Sequence, residues 1–316
     1  MLSALDRLRI LPLVVEARAR APIALPAFSG STLRGAFGRA LKDAVCVTSH
    51  RECDACRVAD DCAFPAIFEH AVAHPYGIHP PAATAGFAPG DRFSFDVTLI
   101  GRATEWMPAV VDAAARMGER GLGVSRGAFD VTRVTAAAPA GAPLVIAEGE
   151  PLAFVRTARA ATFAPSAFLP MVEAARSPRF AIELVTPARL VEDGAVVESP
   201  SFASIIRALL RRAATLLREH EGVPLDLTAA DRAALRACAA RVSTVASDLE
   251  RVDQVRFSAR QHRTMNLFGV RGTIAFEVEG GDAAPLLPLL ALGAAIGVGK
   301  GTTFGLGRMR VTGAAQ

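Results

Sequence analysis

The alternation of apolar and polar positions predicts strands and helices in a fixed order along the first half of the chain. A strand is predicted over 8–17 and a helix over 31–45, where Leu33, Phe37 and Leu41 fall on one face. The later elements are predicted as a strand at 91–100, a helix at 110–117 and a strand at 129–134, with 74–79 as one further strand. This succession is that of a βαββαβ unit.

The second half repeats that order. GLG begins both GLGVSRGAFDVTRV at 121–134 and GLGRMRV at 305–311, after the second helix of each half. The elements predicted for the second half are strands at 180–187, near 255, at 272–278 and at 308–311, and helices at 202–220, 229–249 and 284–292. The two halves are therefore predicted to share one order of strands and helices.

The fold class that follows is α+β, with two tandem ferredoxin-like (RRM-like) βαββαβ domains. We expect 1–175 to form the N-terminal domain and 176–316 the C-terminal domain, because the stretch 136–178 is rich in Ala, Pro and Gly. A cysteine-rich insertion at 46–64 interrupts the first domain.

A glycine-rich loop at 297–307 lies between the last helix and the last strand. Such a density of glycine permits positive φ and lets backbone N–H groups approach a ligand, and Lys300 and Arg308 add positive charge, so phosphate is the expected ligand. The loop is not a Walker A motif, which follows a strand and opens a helix. A tight connection between two packed elements is the structural alternative. The glycines are Gly297, Gly299, Gly301, Gly305 and Gly307.

Composition and charge narrow the class of partner only slightly. The chain has 316 residues, 51% of them hydrophobic, and a formal net charge of +4, which is compatible with a polyanion. Its lysines are Lys42 and Lys300, and its other cationic side chains are arginines. The N-terminus lacks a signal-peptide pattern, and the apolar stretch 284–296 is too short to span a bilayer, so we expect a cytoplasmic protein without membrane contact.

Four of the five cysteines are crowded into one segment, Cys46-x6-Cys53-x2-Cys56-x5-Cys62. In a reducing compartment this spacing favours a structural zinc ion over disulfides, and four thiolates would leave the metal no open position for catalysis. The alternative is a set of four thiols that no longer holds a metal. Cys238 stands alone and is expected to pack in a helix.

Several segments together with the loop resemble the repeat-RNA-processing endoribonucleases of the CRISPR-associated RAMP superfamily. Those segments are STLRGAFGRALKDAVC at 31–46, AIFE at 66–69, MGERGLGVSRGAF at 117–129 and RFSARQHRTMNLFGVRG at 256–272. The resemblance implies two ferredoxin-like domains that bind CRISPR repeat RNA and cut it once per repeat to give mature crRNA. The implied chemistry is attack by the ribose 2′-hydroxyl on the adjacent phosphate, which yields a 2′,3′-cyclic phosphate without a metal or other cofactor.

Such a reaction needs a base, an acid and donors for the phosphorane. We expect His262 as a catalytic residue because it lies among arginines in a segment without acids, His50 because it follows the first helix, and Tyr76 as a proton donor. His70, His74 and His79 are alternatives, whereas His220 is expected to interact with a helix C-terminus. The expected RNA-binding residues are Arg34, Lys42, Arg256, Arg260, Arg263, Gly299, Lys300, Gly301, Gly305, Gly307 and Arg308.

Two other functions remain open at this point. Relatives often have histidine where this chain has Gly297, and the helix at 31–45 contains no histidine, which leaves open a non-catalytic RAMP subunit that binds crRNA within an effector complex. A zinc-dependent nucleic-acid module unrelated to CRISPR is the third hypothesis. Other CRISPR effector subunits are expected partners under the first two.

Overall fold

The computed structural model describes residues 2–48, 52–69, 72–81, 86–155, 162–258, 263–281 and 283–314. The chain divides into two compact units. One, the N-terminal unit, is Arg9–Phe163, and the other, the C-terminal unit, combines the residues before Arg9 with those from Ala164 onward. No helix in these described ranges is both long enough and apolar enough to cross a membrane.

The N-terminal unit is built on a six-stranded antiparallel sheet. The strands of the whole unit are β1 (Ile10–Ala19), β2 (Ile23–Ala24), β3 (Tyr76–His79), β4 (Gly86–Phe87), β5 (Arg92–Ile100), β6 (Phe129–Ala136), β7 (Leu144–Glu148) and β8 (Ala153–Phe154). Its helices are α1 (Gly30–Val45) and α2 (Met107–Arg120). The sheet order is β3-β5-β1-β6-β7-β8, and β2 pairs separately with β4.

Helix α1 packs one apolar face into the core of this unit, where Leu33, Phe37 and Leu41 are buried. A β-carbon at Gly38 would lie 2.5 Å from the Phe68 ring, so glycine there lets the aromatic side chain lie against the helix. Phe68 belongs to a single π-helical turn, Pro65–Glu69. The sequence RGAFGRA thus creates both the apolar face and the gap that Phe68 fills.

The C-terminal unit has a four-stranded antiparallel sheet in the order β12-β13-β9-β14. Its elements are β9 (Arg179–Ala188), β10 (Val191–Glu192), β11 (Ala195–Val196), α3 (Phe202–Glu221), α4 (Ala229–Ala240), β12 (Val242–Ser258), β13 (Arg263–Val278), α5 (Leu287–Ile296) and β14 (Met309–Gly313). When these strands are numbered by their order along the chain, their order across the sheet is second, third, first, fourth. The N-terminal unit has the same order across its neighbouring strands β3, β5, β1 and β6.

The predicted α+β class with antiparallel sheets is confirmed, and the segment 74–79 does supply the strand β3. The helix predicted over 229–249 is wrong beyond Ala240, because β12 begins at Val242 and pairs with β13 along its whole length. This ladder pairs the backbone groups that face β13, in a segment whose apolar spacing also fits a helix. Strand β13 is correspondingly longer than the predicted 272–278.

Candidate nucleic-acid interface

The C-terminal glycine loop, residues 297–307, connects α5 to β14. Gly297 ends α5 with a φ of 75°, and its N–H donates to the carbonyl of Gly293 at 2.8 Å. The loop then closes on itself, since the N–H of Val298 donates to the carbonyl of Gly307 at 2.8 Å. The five glycines of this loop all have positive φ, between 72° and 85°.

Close backbone contacts explain why this loop needs glycine. A β-carbon on Gly307 would lie 1.9 Å from the carbonyl oxygen of Val298, and one on Gly299 would lie 2.6 Å from that of Arg189. The carbonyl of Arg189 accepts from the N–H of Lys300 at 2.9 Å, so it cannot move away without breaking that hydrogen bond. The glycines are therefore required by packing, and a phosphate site at this loop depends on its neighbouring side chains.

Positive side chains surround a cavity of about 230 Å³ beside the loop. Arg189 donates from Nε to the carbonyl of Phe268 at 2.8 Å, and burial lowers its pKa. Arg211 on α3 reaches the carbonyl of Val191 at 3.4 Å, and Lys300 is exposed. The cavity is lined by Arg189, Val191, Ala208, Arg211, Gly299 and Lys300.

Arg308 and Thr186 join the end of the loop to the sheet. The backbone N–H of Arg308 donates to Oγ1 of Thr186 at 2.9 Å, and the carbonyl of Arg308 accepts from the N–H of Val185 at 2.8 Å. The backbone of Arg308 therefore fixes the path of the chain into β14. Gly301 and Gly305 flank the short 3-10 turn Thr302–Phe304, both in the left-handed region.

The long hairpin of β12 and β13 carries the arginines predicted from the segment 256–272. Arg256 pairs in the ladder with Met265, and Arg263 pairs with Ser258. Arg260 and His262 lie outside the described residues. Nearer the sheet, Arg271 forms an ion pair with Glu250 across the two strands.

Arg34 and Lys42 of α1 both lie against aromatic rings of the N-terminal unit. The guanidinium carbon of Arg34 is 4.7 Å from the centroid of the Phe68 ring, and Nζ of Lys42 is 4.8 Å from that of Phe64. Each contact is worth about 0.5–1 kcal/mol at a partly exposed site. Tyr76 is fully buried, with its ring stacked 5.1 Å from Phe68, so its phenol does not reach the surface.

The histidines are divided between described and undescribed parts of the chain. His50 and His70 lie outside the described residues. His74 is half-buried, with its ring centroid 5.9 Å from that of Tyr76, and His79 is buried in β3. His220 lies in the last turn of α3, where it is buried.

The four clustered cysteines line one small cavity of about 20 Å³ together with Lys42 and Glu52. Burial, helped by a hydrogen bond with Glu69 and its charge, raises the pKa of Cys53 to about 11, so its thiol is protonated at neutral pH. Within the described ranges, no three His, Cys, Asp or Glu side chains are close enough to hold a metal ion. None of the described cysteines Cys46, Cys53, Cys56 and Cys62 forms a disulfide.

Sequence reasoning missed Arg189 and Arg211. Arg189 follows β9 and Arg211 lies on α3, more than 80 residues before the loop in the sequence, and no local motif marks either. A parallel bridge between Arg189 and Gly299 brings Arg189 to the loop, and the position of α3 brings Arg211 to the same cavity. The βαββαβ topology could have indicated that Arg189 lies near the loop, because the first strand of such a unit lies beside its last.

Comparison with known proteins identifies both halves of the chain. Residues 182–309 match the family model of the CRISPR-associated endoribonuclease Cas6, and residues 8–159 match AF_1859_N, an N-terminal domain. The Cas6 match contains the hairpin of β12 and β13, the cavity and all of the C-terminal glycine loop. No curated protein sequence matches the chain.

Solved structures of Cas6 share the fold across the chain. A Cas6 product complex aligns with a TM-score of 0.58 at 17% identity, covering 96% of this chain and 99% of that one. Thermus thermophilus Cas6 gives 0.57 at 15% identity, covering 96% and 98%. In a partial Cas6-RT-Cas1–Cas2 complex the values are 0.60 and 10%, covering 98% of this chain and 47% of that one. Residues 182–309 are therefore similar to a Cas6 endoribonuclease domain, and the solved structures show that the chain shares the Cas6 fold.

Proposed function

We propose that this protein binds CRISPR repeat RNA and cleaves it to mature crRNA without a metal cofactor. The observation that carries the proposal is the match of residues 182–309 to an endoribonuclease family, because that stretch includes the cationic cavity and the C-terminal glycine loop. The same match favours cleavage over the alternative of a non-catalytic crRNA-binding subunit.

The proposed reaction is an internal transesterification. A base removes the proton of a ribose 2′-hydroxyl, the 2′-oxygen bonds to the adjacent phosphorus, and the bond from phosphorus to the 5′-oxygen breaks. An acid gives a proton to the leaving 5′-oxygen, and the products are a 2′,3′-cyclic phosphate and a 5′-hydroxyl. Positive groups near the phosphorane stabilise its charge, and Lys300 is one we propose for that surface.

His262 and His50 are the residues we propose for proton transfer. An imidazole changes charge near neutral pH and so serves as either base or acid. Tyr76 has no part in this proposal, because a fully buried phenol cannot reach RNA in this fold.

Cleavage of end-labelled repeat RNA in excess EDTA tests the proposal. We expect one cut per repeat, a cyclic phosphate on the upstream product, and loss of at least about a hundredfold in rate for His262→Ala or His50→Ala with RNA affinity kept. His220→Gln serves as the matched control because this histidine is buried at a helix end. Binding without any cleavage would support the non-catalytic alternative instead.

We also propose that both units are ferredoxin-like domains, with the residues 46–64 as an insertion in the first. The shared strand order of the two sheets supports this classification. The division into 1–175 and 176–316 stays a prediction, and limited proteolysis tests it through the position of the first cut. Repeat RNA is the proposed partner, and other CRISPR proteins are proposed as further partners.

A structural zinc ion at Cys46, Cys53, Cys56 and Cys62 is a separate proposal. The spacing of the four thiols and the one cavity that they share support it, although their sulfur atoms must move closer together to form a tetrahedral site. The purified protein should contain one zinc per chain by mass spectrometry. Cys53→Ser should lower that content, and Cys238→Ala, the change of a lone helix cysteine, should not. A protein free of zinc after growth in zinc-supplemented medium would contradict the proposal.

A further inference from the structure

The cavity beside the C-terminal glycine loop combines three cationic side chains with no acidic one among the described residues that line it. Arg189 enters from the chain after β9, Arg211 from α3 and Lys300 from the loop. No ion pair among the described residues includes any of the three. The described lining of the cavity therefore carries positive charge and no acidic side chain.

The acidic side chain that follows the cavity residue Val191 in the sequence is already engaged. Glu192 binds Arg207 at 2.5 Å, and this hydrogen bond, with a smaller contribution from the charge of Arg211, lowers the pKa of Glu192. Arg207 lies one helical turn before Arg211 on α3, so α3 presents one neutralised arginine and one that faces the cavity. Arg207 is therefore a matched control for Arg211 on the same helix.

Arg189 is held in place for a ligand. Its Nε donates to the carbonyl of Phe268, which orients the guanidinium plane, and its backbone pairs with Gly299. Burial of a guanidinium without an anion is unfavourable, as its lowered pKa indicates. An anion that accepts from this group would offset that cost, and guanidinium groups match phosphate oxygens well.

We propose that Arg189, Arg211 and Lys300 form a pocket that binds a single backbone phosphate of the repeat RNA. The inference rests on the proposed function and deepens it, since it names residues that hold the RNA at a defined point. The pocket reads no base, because phosphate contacts fix register and carry no sequence information. The group that the pocket recognises is a phosphate oxyanion, which either an RNA strand or free inorganic phosphate can supply.

Equilibrium binding of labelled repeat RNA at several salt concentrations tests the pocket. Arg211→Gln and Lys300→Gln should each weaken binding about tenfold at 0.15 M salt. Each should also reduce the slope of log K against log salt by about 0.7 for single-stranded RNA. Arg207→Gln should change affinity less than twofold. Because the two cations hold one phosphate, the double variant should lose less than the product of the single losses. Arg189→Lys, which keeps the charge but not the planar donor set, should lose about as much as Lys300→Gln.

Several outcomes would overturn the proposal. Equal losses for Arg207→Gln and Arg211→Gln would mean that only the net charge of α3 matters. Strictly multiplicative losses would place the two cations on different phosphates. Competition by inorganic phosphate at micromolar concentration, with RNA affinity unchanged in the variants, would assign the pocket to the free anion. Thermal unfolding of each variant shows that a loss of binding is not a loss of fold.

The experiments distinguish an error in the proposed phosphate pocket from an error in the proposed function. If the chain cleaves repeat RNA but the three variants bind normally, the pocket is wrong and the function stands. If no repeat is cleaved while the variants still show the expected losses, the pocket stands and the chain binds without cutting.

Discussion

The two units carry glycine loops of the same construction in different chemical surroundings. The N-terminal glycine loop, residues 121–127, follows α2 as the C-terminal glycine loop follows α5, and Gly121 and Gly297 end those helices with φ of 79° and 75°. Two residues later, a β-carbon on Gly123 would lie 2.0 Å from the carbonyl oxygen of Ala24, as one on Gly299 would approach Arg189.

The two loops differ in the side chains that surround them. The N-terminal loop is held by Ser125, whose hydroxyl accepts from the N–H of Ala24 and donates to the carbonyl of Pro22, both at 3.0 Å. The cavity beside it has no charged lining and includes Val124, which is 90% exposed. The glycines are thus common to both loops, and the proposed phosphate pocket depends on the side chains Arg189, Arg211 and Lys300 around the C-terminal loop.

The largest expected effect is on stability and should be shared by both loops. Gly307→Ala and Gly123→Ala each force a β-carbon against a carbonyl oxygen at positive φ, which should lower the free energy of unfolding by about 3 kcal/mol or more. Chemical denaturation measures this loss. Gly313→Ala, where the β-carbon meets no atom within 4 Å, is the control and should change stability by less than about 1 kcal/mol.

RNA affinity should distinguish the loops where stability does not. Lys300→Gln should weaken binding of repeat RNA about tenfold, which corresponds to about 1.4 kcal/mol, whereas Val124→Gln at the exposed tip of the N-terminal loop should leave affinity unchanged. Fluorescence anisotropy at fixed salt measures both. An equal loss for Val124→Gln would mean that both glycine loops contact RNA, and the contrast between them would fail.

A hydroxyl anchors each loop, and removal of either should cost a similar, moderate amount. Ser125→Ala leaves the N–H of Ala24 without its acceptor, and Thr186→Val does the same to the N–H of Arg308. Each should lower the free energy of unfolding by about 1–2 kcal/mol, as measured by urea titration. Only Thr186→Val should also weaken RNA binding, because it loosens the loop that carries Lys300.

The smallest effect concerns acid stability. The hydrogen bond from Arg207 keeps the pKa of Glu192 below its ordinary value of 4.5, so this pair stabilises the fold above pH 4.5 and its contribution is lost as the pH falls through the lowered pKa. Because the Arg207 side chain is half-exposed and solvent screens the pair, the loss should be under about 1 kcal/mol. Unfolding midpoints of the wild type and Glu192→Gln should differ at pH 6 and converge near pH 3. A difference that persists at pH 3 would contradict the linkage.

Periodicity predicted most of the fold because each apolar face is local. The faces of α1 and β5 are visible within a dozen residues, so their existence and approximate bounds follow from the sequence. The segment from Val242 was missed because its apolar spacing fits a helix until its partner β13 is known. The strands β7 and β8 were missed because they are short and lie in an Ala- and Pro-rich stretch.

The candidate site was predictable only where its residues sit within the loop itself. Lys300 and its glycines are adjacent in sequence, so composition points to them. Arg189 and Arg211 reach the same cavity through strand pairing and helix packing, which have no local signature. The burial of Tyr76 was equally hidden, because a lone tyrosine in a poorly patterned segment gives no sign of the aromatic side chains that enclose it.

The first described residues of the chain belong to the C-terminal unit, which makes the N-terminal unit an insertion within it. Leu5 and Leu8 are buried, and the carboxylate of Asp6 accepts from the N–H of Ser166 at 2.9 Å. A clone that starts at residue 164 would therefore expose the apolar surface that these leucines cover. Replacing Arg9–Phe163 by a short glycine-serine linker keeps both segments, and that is the design by which the C-terminal unit can be isolated.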